Sequence, residues 1–150
     1  SLLKAADEIN KDQTEHFLRR MESRLGGFAG KTVALLGLAF KANTDDIRDA
    51  KSLEMIETLL QKGAKIQAYD PVATENVKVL WPQVNYVDHV YDVSAEADVL
   101  VLVTEWNEFK SIDLDRLGSA MNQRVLFDGR RLYNPQIASR AGFEYFTIGS

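Results

Sequence analysis

The residues of this 150-residue chain that are best suited to chemistry are polar or aromatic groups that directly follow apolar runs. Four such groups occur: Phe40 with Lys41, Asp70, Glu105 with Trp106, and Asp128 with Gly129 and Arg130. Lysine and arginine bind the oxygens of a pyrophosphate, glycine lets a backbone approach a ligand closely, and an aromatic ring can cover a base or a sugar. Together these residue types favour a phosphorylated nucleotide as the ligand.

These groups meet only if the elements that carry them form one parallel sheet. Residues 32–38 are almost entirely aliphatic and residues 98–104 nearly so, a pattern typical of strands that are buried on both faces. In an open α/β sheet, ligands bind beyond the carboxyl ends of the strands. We therefore expect the binding site in the loops that follow these strands.

Strands and helices alternate along the rest of the chain. The patterns predict strands over residues 32–38, 65–70, 84–87, 98–104, 124–128 and 143–148. They predict helices over residues 2–25, 52–63, 75–80, 89–97, 114–121 and 135–141. Ser52 would cap the second helix, and Gly63 would end it in a left-handed conformation. This alternation predicts an α/β fold, a Rossmann-like three-layer sandwich with a mainly parallel sheet and right-handed crossovers, preceded by a long N-terminal helix.

The long first helix is amphipathic and ends at Gly26 and Gly27. Its apolar residues, among them Phe17, Met21 and Leu25, recur every three or four positions. We expect residues 1–27 to be the end of a connecting or dimerisation helix whose apolar stripe packs against something outside this chain, with residues 28–150 as the ligand-binding domain. Packing of the stripe on its own domain is the alternative.

Composition excludes several classes of function. The chain is 45% apolar and 27% charged, which is ordinary for a single soluble domain, and its net charge of −4 argues against a nucleic-acid partner. It contains no cysteine, so disulfides, thiolate metal sites and a cysteine nucleophile are excluded. His16 and His89 are too few and too far apart for a histidine metal cluster. No run of 18 apolar residues and no signal pattern is seen, which predicts a cytoplasmic protein without a membrane partner.

Each candidate residue also has a structural explanation that the sequence leaves open. Lys41 and Arg48 could pair with Asp45 and Asp46 on a solvated loop. Trp106 and Phe109 are more often core or rim packing residues than ligand contacts, and Gly129 could serve only a turn after Asp128. Asp70 could resemble the ribose-binding acid of a dinucleotide fold, or it could form a turn with Pro71. The G-x-G-x-x-G motif of such a fold is absent after the first strand, where a single glycine, Gly37, stands.

The stretch Gly37-Leu-Ala-Phe-Lys41-Ala-Asn-Thr-Asp-Asp-Ile-Arg48 resembles the C-terminal domain of the UDP-glucose 6-dehydrogenase family, within the wider nucleotide-sugar dehydrogenases. Further matches follow in the same order: Tyr69-Asp70-Pro71, Ala97-Asp98, Thr104-Glu105-Trp106-Asn-Glu-Phe109 and Asp128-Gly129-Arg130. The resemblance covers residues 30–150. Ile9, Asn10 and Gln13 are similar to the end of the central helix that joins the two halves of such enzymes.

The resemblance implies an NAD-dependent, two-step oxidation of UDP-glucose to UDP-glucuronate. It implies that Phe40 and Lys41 contact the substrate, that Arg130 contacts the UDP-sugar, and that Arg48 reaches toward NAD. The family's catalytic cysteine, its lysine and its G-x-G-x-x-G motif lie upstream of this domain. No catalytic residue is therefore expected here, and the chain would be inactive without an N-terminal NAD-binding domain, the full enzyme being a homodimer.

Other functions remain open on the sequence. Asp49, Ala50 and Lys51 stand where relatives often carry an acid, a serine and a proline, and Arg131 stands where many bacterial members have asparagine. Dehydrogenases that act on UDP-N-acetylhexosamines or GDP-mannose share the scaffold, although the Phe-Lys and Thr-Glu-Trp pairs favour UDP-glucose. A stand-alone nucleotide-sugar-binding module and an oligomerisation domain are further alternatives.

Overall fold

The computed structural model describes the backbone of residues 2–148 and the side chains of residues 11–148. Its strands are β1 Thr32–Leu36, β2 Lys65–Tyr69, β3 Asn85–Tyr86, β4 Val99–Leu102, β5 Val125–Asp128 and β6 Glu144–Thr147. Its helices are α1 Leu2–Leu25, α2 Lys51–Gln61, α3 Thr74–Leu80, α4 Leu114–Ser119 and α5 Pro135–Arg140, with short 3-10 turns at Val90–Asp92 and Asn107–Ser111. The predicted Rossmann-like α/β fold is confirmed.

All strand pairings in the six-stranded sheet are parallel, in the order β3-β2-β1-β4-β5-β6. After β1, the chain adds β2 and then β3 on one side of β1. It then returns to the other side of β1, where β4, β5 and β6 follow outward, so the strand order reverses between β1 and β4. Leu36 lies in register with both Tyr69 and Leu102, and Leu102 lies in register with Asp128. Because four strands end level with one another, the loops that follow them share one edge of the sheet. A crevice at such a reversal is where ligands bind in this class of fold.

Buried aliphatic strands form the centre of the core. The side chains of β1 from Val33 to Leu36 and all four residues of β4 are buried. Burial of both faces explains why the sequence of these strands is continuously apolar rather than alternating. The predicted strand positions are confirmed, although each strand is one to three residues shorter than predicted.

The second half of α1 packs on the chain's own domain. Phe17 and Met21 are fully buried, and Leu25 is 7% exposed. The ring of Phe17 meets that of Phe127 in β5 edge to face, with centroids 5.5 Å apart. The expectation that this stripe packs against something outside the chain is therefore wrong for these three residues, because they belong to the buried core of the chain's own domain.

Ser52 does not cap α2, contrary to the prediction. The residue before the helix is Ala50, and its side chain makes no capping hydrogen bond. The hydroxyl of Ser52 instead donates to the carbonyl of Leu38 at 2.6 Å, and the side chain is fully buried. This bond attaches the start of α2 to the loop after β1. The predicted left-handed stop at Gly63 is confirmed by its φ of 86°.

The helix predicted over residues 89–97 is also wrong. Only Val90–Asp92 forms a 3-10 turn, and Glu96 has a φ of 56°. The amide nitrogen of Gln67 donates to the carbonyls of Val93 and Ala95 at 2.8 and 3.0 Å. Since a distant side chain satisfies these carbonyls, the segment needs no helical hydrogen bonds there.

No helix within residues 2–148 is both long and apolar enough to traverse a bilayer. Among the side chains of residues 11–148, no group of three or more histidines, aspartates or glutamates is placed to hold a metal ion.

Candidate functional site

A cleft of about 330 Å³ opens at the carboxyl ends of the central strands. Its lining residues come from the loop after β1, the start of α2, the end of β4 and the loop after β5: Ala39, Phe40, Lys41, Lys51, Val103 and Arg130. Three of the six carry a positive charge, and Phe40 is a 53% exposed aromatic ring. The structure thus brings together the predicted residues Phe40, Lys41 and Arg130, which come from both sides of the reversal point.

The loop after β1 owes its path to Gly37. This residue has a φ of 96°, and its N–H donates to the carbonyl of Tyr69 at 2.8 Å. A Cβ at this position would lie 2.5 Å from the Cβ of Thr104, so no other residue fits without movement. The hydroxyl of Thr104 donates to the carbonyl of Ala39 at 2.7 Å. The loop therefore crosses the end of β4, and Phe40 and Lys41 follow immediately at the cleft.

Asp70 fastens the same loop from the end of β2. Its Oδ2 accepts the backbone N–H groups of Leu38 and Ala39 at 2.7 and 3.0 Å, and the indole Nε1–H of Trp106 at 3.1 Å. Asp70 is 5% exposed, so a buried carboxylate is stabilised by three donors on one oxygen. Its role is to position the loop that carries Phe40 and Lys41.

The same bonds decide whether a dinucleotide fits after β1. In a dinucleotide-binding fold the N–H groups of this turn and the start of the next helix hold the pyrophosphate. Here the N–H groups of Leu38 and Ala39 are bonded to Asp70, and α2 does not begin until Lys51. The residues after β1 therefore do not fit the pyrophosphate of NAD.

The other oxygen of Asp70 accepts the N–H groups of Val72 and Ala73 at 2.9 and 2.7 Å. These bonds close the turn after β2, as the structural alternative with Pro71 supposed. Since both oxygens of Asp70 have protein partners, the alternative role as a ribose-binding acid is not supported.

Asp128 organises the loop after β5 in a similar way. It is fully buried, and its Oδ1 accepts the N–H of Arg130 at 3.0 Å. Its Oδ2 accepts the N–H of Tyr133 at 2.9 Å and the hydroxyl of Tyr145 at 2.7 Å. Burial, followed by the charge of Asp128, raises the pKa of Tyr133; burial, followed by the hydrogen bond to Asp128, raises the pKa of Tyr145. Both phenols therefore remain protonated donors under ordinary conditions.

Gly129 lets the loop after β5 lie directly against β4. Its N–H donates to the carbonyl of Leu102 at 2.9 Å, and a Cβ at Gly129 would lie only 2.9 Å from that carbonyl oxygen. A role in the turn after β5 is thus sufficient to explain the glycine at position 129. The next residue, Arg130, reaches the cleft, where its guanidinium forms an ion pair with Glu105.

The charges around the cleft favour an anion. Within the described part of the chain, neither Lys41 nor Lys51 forms an ion pair with a carboxylate. Of the three cleft cations, Arg130 is the one that is paired, with Glu105. Burial, followed by the charge of Arg130, lowers the pKa of Lys51. Three cations and one carboxylate thus surround one cleft of a protein whose net charge is −4.

Lys51 is the cleft residue that sequence reasoning missed. The sequence shows it only as a departure from the pattern of relatives. The signal that could have identified Lys51 is its position as the first residue of α2, next to the loop after β1. Helices that follow parallel strands begin at the ligand-binding edge of the sheet.

Arg48 does not line the cleft. Its side chain is 87% exposed, and its guanidinium donates three hydrogen bonds to the carboxylate of Asp46, the shortest of 2.9 Å from Nη2 to Oδ2. These hydrogen bonds lower the pKa of Asp46 to about 2, and the charge of Lys41 contributes least. The structural alternative is therefore observed for Arg48, and a contact with NAD stays a prediction.

The aromatic residues after β4 serve the core. Trp106 is 7% exposed and Phe109 is fully buried, with the ring of Phe109 tilted against that of Tyr69 at a centroid distance of 6.1 Å. Packing is thus the observed role of both rings, and Phe40 is the aromatic side chain at the cleft.

Comparison with known proteins agrees with this geometry. Residues 34–135 match the domain described as UDP-glucose/GDP-mannose dehydrogenase family, UDP binding domain. The UDP-glucose 6-dehydrogenase AglM of Haloferax volcanii is 42% identical over 147 residues, which cover 98% of this chain and 33% of that protein. The UDP-glucose 6-dehydrogenase of Rhizobium meliloti is 37% identical over 149 residues, which cover 99% and 34%.

A solved UDP-glucose dehydrogenase from the hyperthermophilic archaeon Pyrobaculum islandicum superimposes with a TM-score of 0.80 at 30% identity, over 97% of this chain and 31% of that one. The chain spans about a third of the length of the relatives it matches. The matched domain begins in β1 and ends at the start of α5, so it contains every residue that lines the cleft. The chain therefore belongs to the UDP-glucose/GDP-mannose dehydrogenase family and corresponds to its UDP binding domain.

Proposed function

We propose that this chain is the nucleotide-sugar-binding domain of an NAD-dependent UDP-glucose 6-dehydrogenase, which oxidises UDP-glucose to UDP-glucuronate in two steps. The observation that carries the proposal is that Lys41 and Arg130, from loops on opposite sides of the reversal point, line one cleft. A diphosphate is the part of the substrate that matches two fixed cations.

In this role each cleft residue has a distinct task. Lys41 contributes a point charge to the diphosphate, and Arg130 contributes a planar guanidinium that donates to two phosphate oxygens. The ring of Phe40, 53% exposed at the cleft, covers the base or the sugar. Glu105 holds Arg130 in place through their ion pair until the phosphate oxygens become its partners.

The oxidation itself requires groups beyond this chain. The sequence contains no cysteine, so it supplies no thiolate for a covalent intermediate. We propose that a separate N-terminal domain provides that thiolate and binds NAD, that Arg48 extends from its exposed loop toward the cofactor, and that residues 1–27 connect the two domains. In the full enzyme, a homodimer, this chain binds and orients the substrate.

The proposal is tested by calorimetric titration of the full-length protein with UDP. Lys41→Met and Arg130→Met are each expected to weaken UDP binding by about tenfold to a hundredfold, since a charged hydrogen bond contributes about 1.5–3 kcal/mol. Lys110→Met, at an exposed lysine outside the cleft, serves as the control and should bind as the wild type does. Equal affinities in all four proteins would refute the proposal, and absence of saturable UDP binding would favour an oligomerisation domain.

A second experiment tests whether the oxidation requires a domain outside residues 1–150. Residues 1–150 alone, mixed with UDP-glucose and NAD, should produce no NADH, whereas the full-length protein should. NADH production by the isolated chain would contradict the assignment of catalysis to another domain.

The sugar is a separate question, because UDP-glucose, UDP-N-acetylmannosamine and GDP-mannose all carry a diphosphate. Arg131, which departs from the pattern of relatives, donates to the carbonyl of Ile148 at 3.0 and 3.3 Å and is not among the cleft residues. The Arg131 departure therefore leaves the cleft unaltered, whereas the departure at Lys51 lies within it. We propose UDP-glucose because the Phe40-Lys41 and Thr104-Glu105-Trp106 motifs favour it. Comparing kcat/KM for the three nucleotide sugars tests it, and a higher value for either alternative would reassign the substrate.

A further inference from the structure

Lys51 lies at the first position of α2 and lines the cleft beside Lys41 and Arg130. The N-terminus of a helix carries a partial positive charge, which is unfavourable for a cation. Lys51 is also half-buried, and the positive charge of Arg130 acts on it. Three independent effects therefore oppose a protonated amine at this place.

Within the described part of the chain, the one internal acid that favours the charged form of Lys51 acts on it less than either burial or Arg130 does. Lys51 forms no ion pair there, and the one carboxylate that acts on its pKa, that of Glu54, lies one turn further along α2. Glu54 is itself partly buried toward α1, where the charges of Lys11 and Glu15 also act on it. The surroundings of Lys51 thus oppose its positive charge, although the side chain lies at the edge of a cleft. This arrangement indicates that an anionic ligand in the cleft stabilises the charge.

We propose that Lys51 is a third cationic contact for the diphosphate of the nucleotide sugar, additional to Lys41 and Arg130. This inference rests on the proposed function and specifies the ligand group that the start of α2 binds. The positive end of the α2 dipole points to the same part of the cleft and favours the same negative charge.

The test uses the full-length protein with Lys51→Met and Lys51→Pro. Proline suits the first position of a helix, and the preceding Ala50 already has the extended φ and ψ of −67° and 133° that a following proline requires. Both variants are expected to weaken UDP binding about tenfold and to raise KM for UDP-glucose similarly, with kcat nearly unchanged, since the contact is the same in ground and transition states. Lys51→Arg should retain affinity within about threefold, because it keeps the charge.

Stability distinguishes a binding role from a structural one. If Lys51 were structural, Lys51→Met would lower the unfolding midpoint in urea. A binding role predicts an unchanged or higher midpoint, because the variant removes a cation from a helix N-terminus and from the field of Arg130. Lys110→Met is the matched control for charge removal and should change neither property.

The outcomes separate this inference from the function on which it rests. If the wild type binds UDP and both Lys51→Met and Lys51→Pro bind it equally tightly, the inference is overturned while the proposed function stands. If the wild type does not bind UDP, the proposed function itself fails.

Discussion

The carboxylate of Asp70, at the end of β2, accepts the backbone N–H of Leu38, in the loop after β1, at 2.7 Å. A second N–H, that of Ala39, donates to the same oxygen at 3.0 Å. In a dinucleotide-binding fold a phosphate would occupy this position. Here an internal carboxylate holds these N–H groups, and the cationic side chains that line the cleft lie beyond the loop it fastens.

Replacing Asp70 by asparagine tests the importance of this support. An amide nitrogen cannot accept hydrogen bonds, so buried N–H groups lose their acceptor whichever way the side chain is turned. We expect the free energy of unfolding to fall by about 2–3 kcal/mol, measured by urea denaturation. The exposed Asp88→Asn is the control, with an expected change within about 0.5 kcal/mol. Similar losses in the two variants would show that the Asp70 bonds have no special role.

Gly37→Ala and Gly30→Ala form a matched pair that separates backbone strain from steric overlap. Both glycines have positive φ, 96° and 75°, but a Cβ meets nothing within 4 Å at Gly30, whereas at Gly37 it would lie 2.5 Å from Thr104. Gly30→Ala should cost about 1–2 kcal/mol of unfolding free energy from strain. Gly37→Ala should cost about 1–3 kcal/mol more and should also weaken UDP binding, because Phe40 and Lys41 move with the loop. Equal costs by urea denaturation would contradict the close contact with Thr104.

Phe17→Ala tests whether α1 belongs to the folded domain. Phe17 is fully buried against Phe127, and its ring would lie 3.8 Å from a Cβ at Gly129. Removing the ring should lower the free energy of unfolding by about 3–5 kcal/mol. His16→Ala, at the exposed neighbouring position, should change it by less than about 0.5 kcal/mol. A small loss for Phe17→Ala would show that α1 is peripheral to the domain.

The stability of the fold should decrease at alkaline pH. Burial and the hydrogen bond to Asp128 raise the pKa of Tyr145 above its usual 10.0, so the folded state holds this proton more tightly than the unfolded state does. The resulting stabilisation is complete below about pH 10 and is lost as the pH rises from there toward the raised pKa. Tyr145→Phe removes this contribution.

The check is urea denaturation of the wild type and Tyr145→Phe at several values between about pH 8 and pH 11. The difference in unfolding free energy between the two proteins should shrink as the pH rises. Curves that stay parallel over this range would contradict the assigned role of the Tyr145 hydroxyl.

Much of the fold was predictable because its signals are local. The aliphatic runs of β1 and β4 needed no tertiary information, since strands buried on both faces are continuously apolar. The meeting of Lys41 and Arg130 was predictable as well, because the carboxyl ends of parallel strands share one edge. In two of the predictions that failed, a distant group had replaced a local bond. Gln67 satisfies carbonyls in the segment predicted as a helix, and Leu38 accepts the Ser52 hydroxyl expected to cap α2.

The sequence by itself determined the order of strands and helices, the family motifs and the absence of a thiol. Only the tertiary structure decided that Asp70 accepts the N–H groups of the loop after β1, that Arg48 pairs with Asp46, and that Lys51 lines the cleft. The reason is physical. Apolar periodicity depends on neighbours along the chain, whereas the partner of a charged side chain depends on which groups the fold brings within a few ångströms.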